Sequence, residues 1–334
     1  MRQATMIFFV GVGSGTISDI TRYTAYKLKI PFILFPTAPS MDGFTSSGAA
    51  LTIDNLKTTV AAKAPEAVFI DNEVIDNAPL TLKKAGFRDL MGKITAFLDW
   101  QLSHFLTGEK IDLDVLETVK NTYLKTLYAI ETKEFSKNLL EGLIISGLMM
   151  TKVGSSRPAS GSEHHISHFL EYHGVKTYHG IKVGLATLYI LRFYKHFLSL
   201  SKDEILGMIH YTLDIDAWQD LMRRYFKFAY ESVIRANLER VNRLNDKTFR
   251  EELIKKLVEK KDSIDKIIYE TLTIYKDLIH AYRFLDMPMH YRDLGIDDAL
   301  FFIAFTCAPN IRDRFTILHL YEFLGLTQDV VNSF

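Results

Sequence analysis

Five of the eleven histidines in this chain fall within sixteen residues, at His164, His165, His168, His173 and His179. Neutral imidazole is a common ligand for zinc, nickel and ferrous iron. His164 and His168 are four residues apart, so on a helix they share one face. Ser160-x-x-Glu163 has the spacing of a capping box and predicts a helix start close to these histidines. His179 stands before Gly180 at the start of another helical pattern, where a glycine permits close approach. A catalytic metal site typically uses three protein ligands and keeps one position open. A further ligand is offered by "KAGFRDLMGKITAFLDW", which carries Asp89 and Asp99 ten residues apart on one expected helix. Periodicity does not choose between them, although Asp89 lies nearer the junction where a cleft would form. The competing reading is a polar helix face with incidental histidines and solvated aspartates.

Two further segments have the residue types for anion and substrate binding. In "FFVGVGSGTISDITRY", an apolar run leads through Gly11, Gly13 and Gly15 into a helical pattern. Glycines let backbone N–H groups approach a phosphate, and a helix start adds positive potential. Ser14 and Thr16 add hydroxyl donors; the plainer alternative is an ordinary strand-to-helix turn. In "PTAPSMDGFTS", Asp42 stands between Ser40 and Gly43 after a second apolar run. A loop at the carboxyl end of a parallel strand lies beside the ligand crevice. Asp42 could accept a substrate hydroxyl there, or it could be a turn aspartate before glycine.

The elements that must position these residues change along the chain. Short apolar runs at Met6–Val10, Ile30–Thr37 and Glu66–Asn72, with a helical segment at Asp19–Lys29, predict a parallel sheet with covering helices. "SSGAALTIDNLKTTVAA" between them reads as a hairpin or an insertion. From about Pro79 the pattern shifts to helical spacing, as in Leu90–Leu106, Leu113–Glu131, Phe135–Met150 and Lys247–Leu285. The expected fold class is therefore α/β followed by all-α, divided into residues 1–78 and 79–334.

Composition narrows the function. Forty basic residues balance forty acidic ones, so no global field favours nucleic acid or an anionic membrane. Cys307 is the one cysteine, which excludes an internal disulfide and fits a cytoplasmic setting. "MRQATMIFFVGVG" runs directly into the glycine turn without an Ala-x-Ala-like site, so it reads as a strand rather than a signal peptide. The most apolar later stretch, Leu143–Met150, is too short for a membrane span.

The segments "GVGSGTISDITRY", "PTAPSMDGFTSSGAAL", "GFRDLMGKITAFLDW", "SRPASGSEHHISHF", "YHGIKVG" and "IRDRFTILHLYEFLGL" occur in the order seen in glycerol-1-phosphate dehydrogenases. The chain resembles that family, within the iron-containing alcohol dehydrogenase and dehydroquinate synthase-like superfamily, from Phe9 to about Leu326. The resemblance implies a Rossmann-like dinucleotide-binding part, a larger helical part and an active site between them. It implies Asp89, His164 and His179 as ligands of Zn2+, Ni2+ or Fe2+, with zinc first. A shift of one residue would substitute His165 for His164. It implies Asp42 and His168 beside the reacting atoms, and Gly13, Ser14, Gly15, Thr16, Asp19, Thr37 and Ser40 around NAD(H) or NADP(H). Arg157 is the candidate partner of a substrate phosphate. The implied reaction interconverts dihydroxyacetone phosphate and sn-glycerol 1-phosphate, a small phosphorylated polyol, in a homo-oligomeric cytoplasmic enzyme of phospholipid metabolism. Family members carry further strands and helices before the glycine turn where this chain has "MRQATMIF", which implies a shortened domain with an unpaired sheet edge. A non-catalytic or cofactor-deficient paralogue retaining the metal site and a dehydroquinate-synthase-like lyase are the alternatives.

Overall fold

The computed structural model describes residues 7–53 and 56–334. Residues 1–6, including Met6 of the first expected strand, lie outside them, as do Asp54 and Asn55 of the expected hairpin. The α/β part starts with β1 (Phe9–Gly13), whose apolar run ends in the glycine turn, and continues into α1 (Gly15–Leu28) and β2 (Phe32–Pro36). β1 and β2 are parallel, in register from Phe9 opposite Phe32 to Gly13 opposite Pro36. The stretch beginning at Gly48 forms an antiparallel pair, β3 (Gly48–Ile53) with β4 (Leu56–Ala61). β5 (Ala67–Val68) then joins the far side of β2 in parallel, giving the order β1-β2-β5.

Alternation along β2 explains how α1 is held. Phe32 and Leu34 point to one face and are buried with Ala25 of α1, with Phe9 and Val68 at the rim of that small core. Val10 and Val12 point to the other face of β1 and are more than half exposed. Both parallel strands end at the same side, so the turn at Ser14 and the loop after Pro36 open onto one crevice.

The helical part begins with α2 (Asn72–Asp76), capped by Asp71, and α3 (Leu80–Met91), which follows Pro79. α4 (Lys93–Thr107), α5 (Leu113–Tyr128), α6 (Phe135–Val153), α7 (Ser162–Tyr172) and α8 (His179–Ser199) follow. α8 is apolar around nearly its whole circumference and is the buried axis of the main core, as such a pattern requires.

Two expected single helices are divided. Leu90–Leu106 is interrupted at Gly92, which packs against Val183 and separates α3 from α4. Lys247–Leu285 forms Lys247–Leu272 and Tyr275–Phe284. At that division the Thr273 hydroxyl donates back to the Glu270 carbonyl at 2.7 Å, the kind of local bond that competes with helix continuation.

Candidate active site

A cleft of about 740 Å³ lies between the α1 turn, the loop after β2 and helices α3, α7 and α8. α3 brings Asp89 into it, fully buried. α7 presents His164 and His168 one turn apart, and α8 opens with His179. The imidazole centroids of His164 and His179 are 5.2 Å apart, and those of His168 and His179 5.5 Å. His164 Nε2 lies 3.6 Å from Asp89 Oδ1. One ligand atom from each of Asp89, His164 and His179 lies within 4.8 Å of the others, and the same holds for His168, Glu171 and His179.

Close backbone contacts set this geometry. A Cβ on Gly180 would sit 1.9 Å from the Ala85 carbonyl oxygen, so glycine lets the first turn of α8 lie directly on α3. A Cβ on Gly86 would sit 1.8 Å from the Pro39 carbonyl oxygen, so α3 also carries the loop after β2. Substituting either glycine would push apart the elements that hold His179, Asp89 and Asp42.

Carboxylates fix the ring orientations. His164 Nδ1 is 2.7 Å from Glu163 Oε1, and His179 Nδ1 is 2.7 Å from Glu171 Oε1. An imidazole that donates from Nδ1 to a carboxylate keeps its Nε2 lone pair for a metal, the usual support of a metal-bound histidine. Glu163 is itself fixed, accepting from the Gly161 N–H at 2.7 Å and the Thr95 hydroxyl at 2.6 Å. Burial works against its charge, yet His164, Thr95 and Gly161 hold its pKa below the usual carboxylate range. Burial alone would lower His164, but hydrogen bonding to Asp89 and Glu163 raises its affinity for a positive charge. With Nδ1 donating to Glu163, the Nε2 lone pair and a carboxylate oxygen of Asp89 face each other, an arrangement that a cation between them satisfies.

Lys93 is the element of the site that spacing did not reveal. It is fully buried, with Nζ 2.6 Å from Asp42 Oδ2 and 3.1 Å from Asp89 Oδ1. Burial favours its neutral form, but the two carboxylates hold its pKa above the ordinary lysine value. Asp89 is correspondingly held well below the usual carboxylate range: burial opposes ionisation, and Lys93 with the two histidines overcomes it. Asp42 also accepts from the Ser146 hydroxyl at 3.1 Å, and its N–H donates to Asp89 Oδ2 at 3.2 Å. The loop carrying Asp42 is clamped by Arg22, another residue outside the sequence expectations. From α1 it donates to the carbonyls of Gly43, Phe44 and Gly48 while paired to Asp19 at 2.7 Å.

Ser14, Gly15, Thr16, Asp19 and Ser40 line the same cleft. Ser14 is the N-cap of α1 but makes no side-chain cap bond; its hydroxyl meets those of Ser40 and the Ala38 carbonyl instead. The first-turn N–H groups of α1 therefore have no side-chain cap from Ser14, which suits an anion. Gly13 accepts from the Thr37 N–H at 3.3 Å at the strand end. Thr37 lines a neighbouring depression with Asn77 and Ala78 rather than the cleft.

Other sequence candidates lie elsewhere. Arg157 is buried behind the cleft lining, paired to Glu109 at 2.9 Å and donating to the carbonyls of Asp99 and Phe315. His165 points away from the cleft, its ring 6.0 Å from that of His319 in the core. Asp99 is on α4, not on the helix of Asp89, and ties two helix starts together. It accepts from the Ser162 N–H and hydroxyl, the Ile317 N–H and the Tyr194 hydroxyl, all at 2.6–2.7 Å. Burial, reinforced by the neighbouring Glu163, pushes its carboxyl up to about 6. The capping box expected of Ser160 and Glu163 is displaced: Gly161 is the N-cap, and Asp99 supplies the acceptor that a local serine would have given.

The chain as a whole is similar to known proteins. Residues 1–79 match the family model described as iron-containing alcohol dehydrogenase. A glycerol-1-phosphate dehydrogenase, NAD(P)+, of Bacillus licheniformis is 32% identical over 329 residues, covering 95% of this chain and 68% of that protein. One from Bacillus velezensis is 44% identical over 196 residues, covering 56% of this chain and 50% of that protein, so the matched stretch spans about half its length. Among solved structures, a probable glycerol dehydrogenase from Sinorhizobium meliloti 1021 has a TM-score of 0.56 at 14% identity, over 98% of this chain and 78% of that one. A 1,3-propanediol oxidoreductase has a TM-score of 0.58 at 12% identity, over 97% and 76%. At such identities the likeness is one of fold, an α/β part followed by a larger helical part.

Proposed function

Because this chain belongs to the glycerol-1-phosphate dehydrogenase family, we propose that it is a metal-dependent, NAD(P)-linked oxidoreductase interconverting dihydroxyacetone phosphate and sn-glycerol 1-phosphate. The observation that carries this reading is the convergence of Asp89, His164 and His179 within 4.8 Å, on the cleft that also receives the α1 turn. Those three residues would hold a divalent cation, zinc first, which when bound supplies Lewis-acid polarisation of the substrate carbonyl. The buried carboxylate, the two carboxylate-oriented imidazoles and their facing lone pairs fit such an ion.

The chain's own residues perform the remaining tasks. Gly13, Ser14, Gly15 and Thr16 would offer N–H and hydroxyl donors to the dinucleotide pyrophosphate, with Asp19 and Ser40 beside it on the cleft. Asp42, held by Lys93 and Ser146, accepts a substrate hydroxyl and orients the carbonyl carbon toward the nicotinamide. A bound reduced dinucleotide would supply the hydride for that carbon, the chain's own residues supplying the proton for the oxygen. His168, which lines the cleft from α7, would hand over that proton. In this reading residues 1–78 serve the dinucleotide, with Asp42 reaching the substrate, and residues 79–334 serve the metal and substrate, in a cytoplasmic homo-oligomer.

The test is NADH and NADPH oxidation by the full chain with dihydroxyacetone phosphate, after loading with zinc, nickel or ferrous iron. Turnover that disappears on chelation and returns with metal is expected. Bound metal and bound dinucleotide without turnover in any of the three preparations would overturn the reading.

A further inference from the structure

The segment "IRDRFTILHLYEFLGL" has so far supplied only family likeness, yet its first residues reach the cleft. Arg312 lines the cleft beside Ser156 and Ser160. Its guanidinium is loosely held, donating to the hydroxyls of Ser156 and Thr59, each at 3.4 Å. Arg314 braces the same place from behind, donating to Ser156 Oγ at 3.1 Å and to the Ser160 carbonyl at 2.7 Å. Among the described residues neither arginine has a carboxylate within ion-pair distance, whereas Arg157 has Glu109 at 2.9 Å. Burial, together with Arg312 and Arg157, disfavours the charge on Arg314, and Glu109 and Glu163 offset only part of that, so the guanidiniums crowd one place.

The second observation is independent of charge. The Ser160 hydroxyl is buried, lines the cleft and has no hydrogen-bond partner among the described residues. A buried hydroxyl without a partner is destabilising, and a ligand with acceptor oxygens removes that penalty. A ligand that satisfies two guanidiniums and a serine at once is an oxyanion rich in acceptors and poor in donors. Ser160 and His164 line the same cleft.

We propose that Arg312, with Ser160 and Ser156, forms the subsite for the phosphate of a small phosphomonoester, and that Arg314 is a positioning residue for it. This subsite differs from the α1 turn, which serves the dinucleotide, and it takes the place expected of Arg157. The inference rests on the proposed function insofar as the ester is the reacting substrate.

Two measurements test it on the full metal-loaded chain: titration with inorganic phosphate by calorimetry, and the kcat/KM ratio for dihydroxyacetone phosphate over unphosphorylated dihydroxyacetone. Arg312→Met should lower that ratio roughly 10–100-fold, the effect of one lost charged hydrogen-bonding partner. The loss should fall mainly on KM for the phosphate ester, with Arg312→Lys intermediate, and phosphate affinity should fall in parallel. Ser160→Ala, a smaller change, should move both quantities in the same direction. Equal loss for both substrates, or unchanged phosphate affinity in both variants, would overturn the subsite while leaving the dehydrogenase reading intact. Arginine-dependent phosphate binding without reduction of the ester would support the subsite and refute that reading.

Discussion

The buried pair His165 and His319 makes stability depend on pH in a way that can be worked out from its surroundings. Both rings are enclosed, and both are held well below the ordinary imidazole pKa, first by burial. For His165 the groups that oppose a positive charge are His319, Arg314, Arg312 and Arg157; for His319 they are Arg240 and Arg157. His165 has no partner for either ring nitrogen among the described residues, while His319 Nδ1 meets the Thr316 hydroxyl at 3.0 Å. The unfolded chain titrates near the ordinary value of about 6.5. Below that pH the unfolded state binds protons that the folded state refuses, so stability falls as pH falls and is fully present above it. Each neutral ring contributes about 1.4 kcal/mol per pH unit below its unfolded pKa, about 2 kcal/mol by pH 5. The pair together should then account for roughly 4 kcal/mol between pH 7.5 and pH 5. Urea unfolding across that range, comparing wild type with His319→Phe and the doubly substituted His165→Phe/His319→Phe chain, isolates the effect. The wild-type slope should be steepest, the single variant intermediate and the double variant shallowest. Parallel pH profiles in all three would refute the assignment of two neutral core imidazoles.

Removing Lys93 should be costly in the metal-free chain. Lys93→Met leaves the buried carboxylate of Asp89 and the partly buried one of Asp42 without their cation, worth about 3–5 kcal/mol in urea unfolding with chelator present. Added zinc should restore part of the loss, because Asp89 then faces a cation again. His164→Ala and His179→Ala should each abolish retention of a divalent metal measured by elemental analysis, whereas His165→Ala should retain it; the reverse pattern would shift the ligand register by one. Gly180→Ala should lower the thermal midpoint and weaken metal retention together, because its Cβ would overlap the Ala85 carbonyl oxygen. An unchanged midpoint with full metal content would show that α8 can withdraw without moving His179.

Much of the site was legible because helical periodicity is a local property. The four-residue spacing of His164 and His168 gave one shared face, and the apolar run before the Gly11–Gly15 turn gave the strand and helix that carry Ser14 and Thr16. Other features were locally ambiguous. His164 and His165 are adjacent on one helix, and only the neighbours of each face separate them: Glu163, Asp89 and His179 around one, His319 and the arginines around the other. Asp89 and Asp99 looked like residues of one helix until the interruption at Gly92 turned them to different partners. Lys93 has ordinary helix spacing, and its burial against two carboxylates leaves no pattern in the chain.

The sequence by itself determined the order of elements, the change from strand to helix texture near Pro79 and the residue types available for metal and phosphate. These follow from short-range periodicity, glycine placement and side-chain chemistry, all carried within a few residues. Only the tertiary structure decided which charges share a site. It placed Arg312 at the cleft and Arg157 behind it, although the two are 155 positions apart in the chain. It also made Asp99 the acceptor for helix starts at Ser162 and Ile317. Burial and the company of distant residues fix what a charged side chain does, and neither quantity is local in sequence.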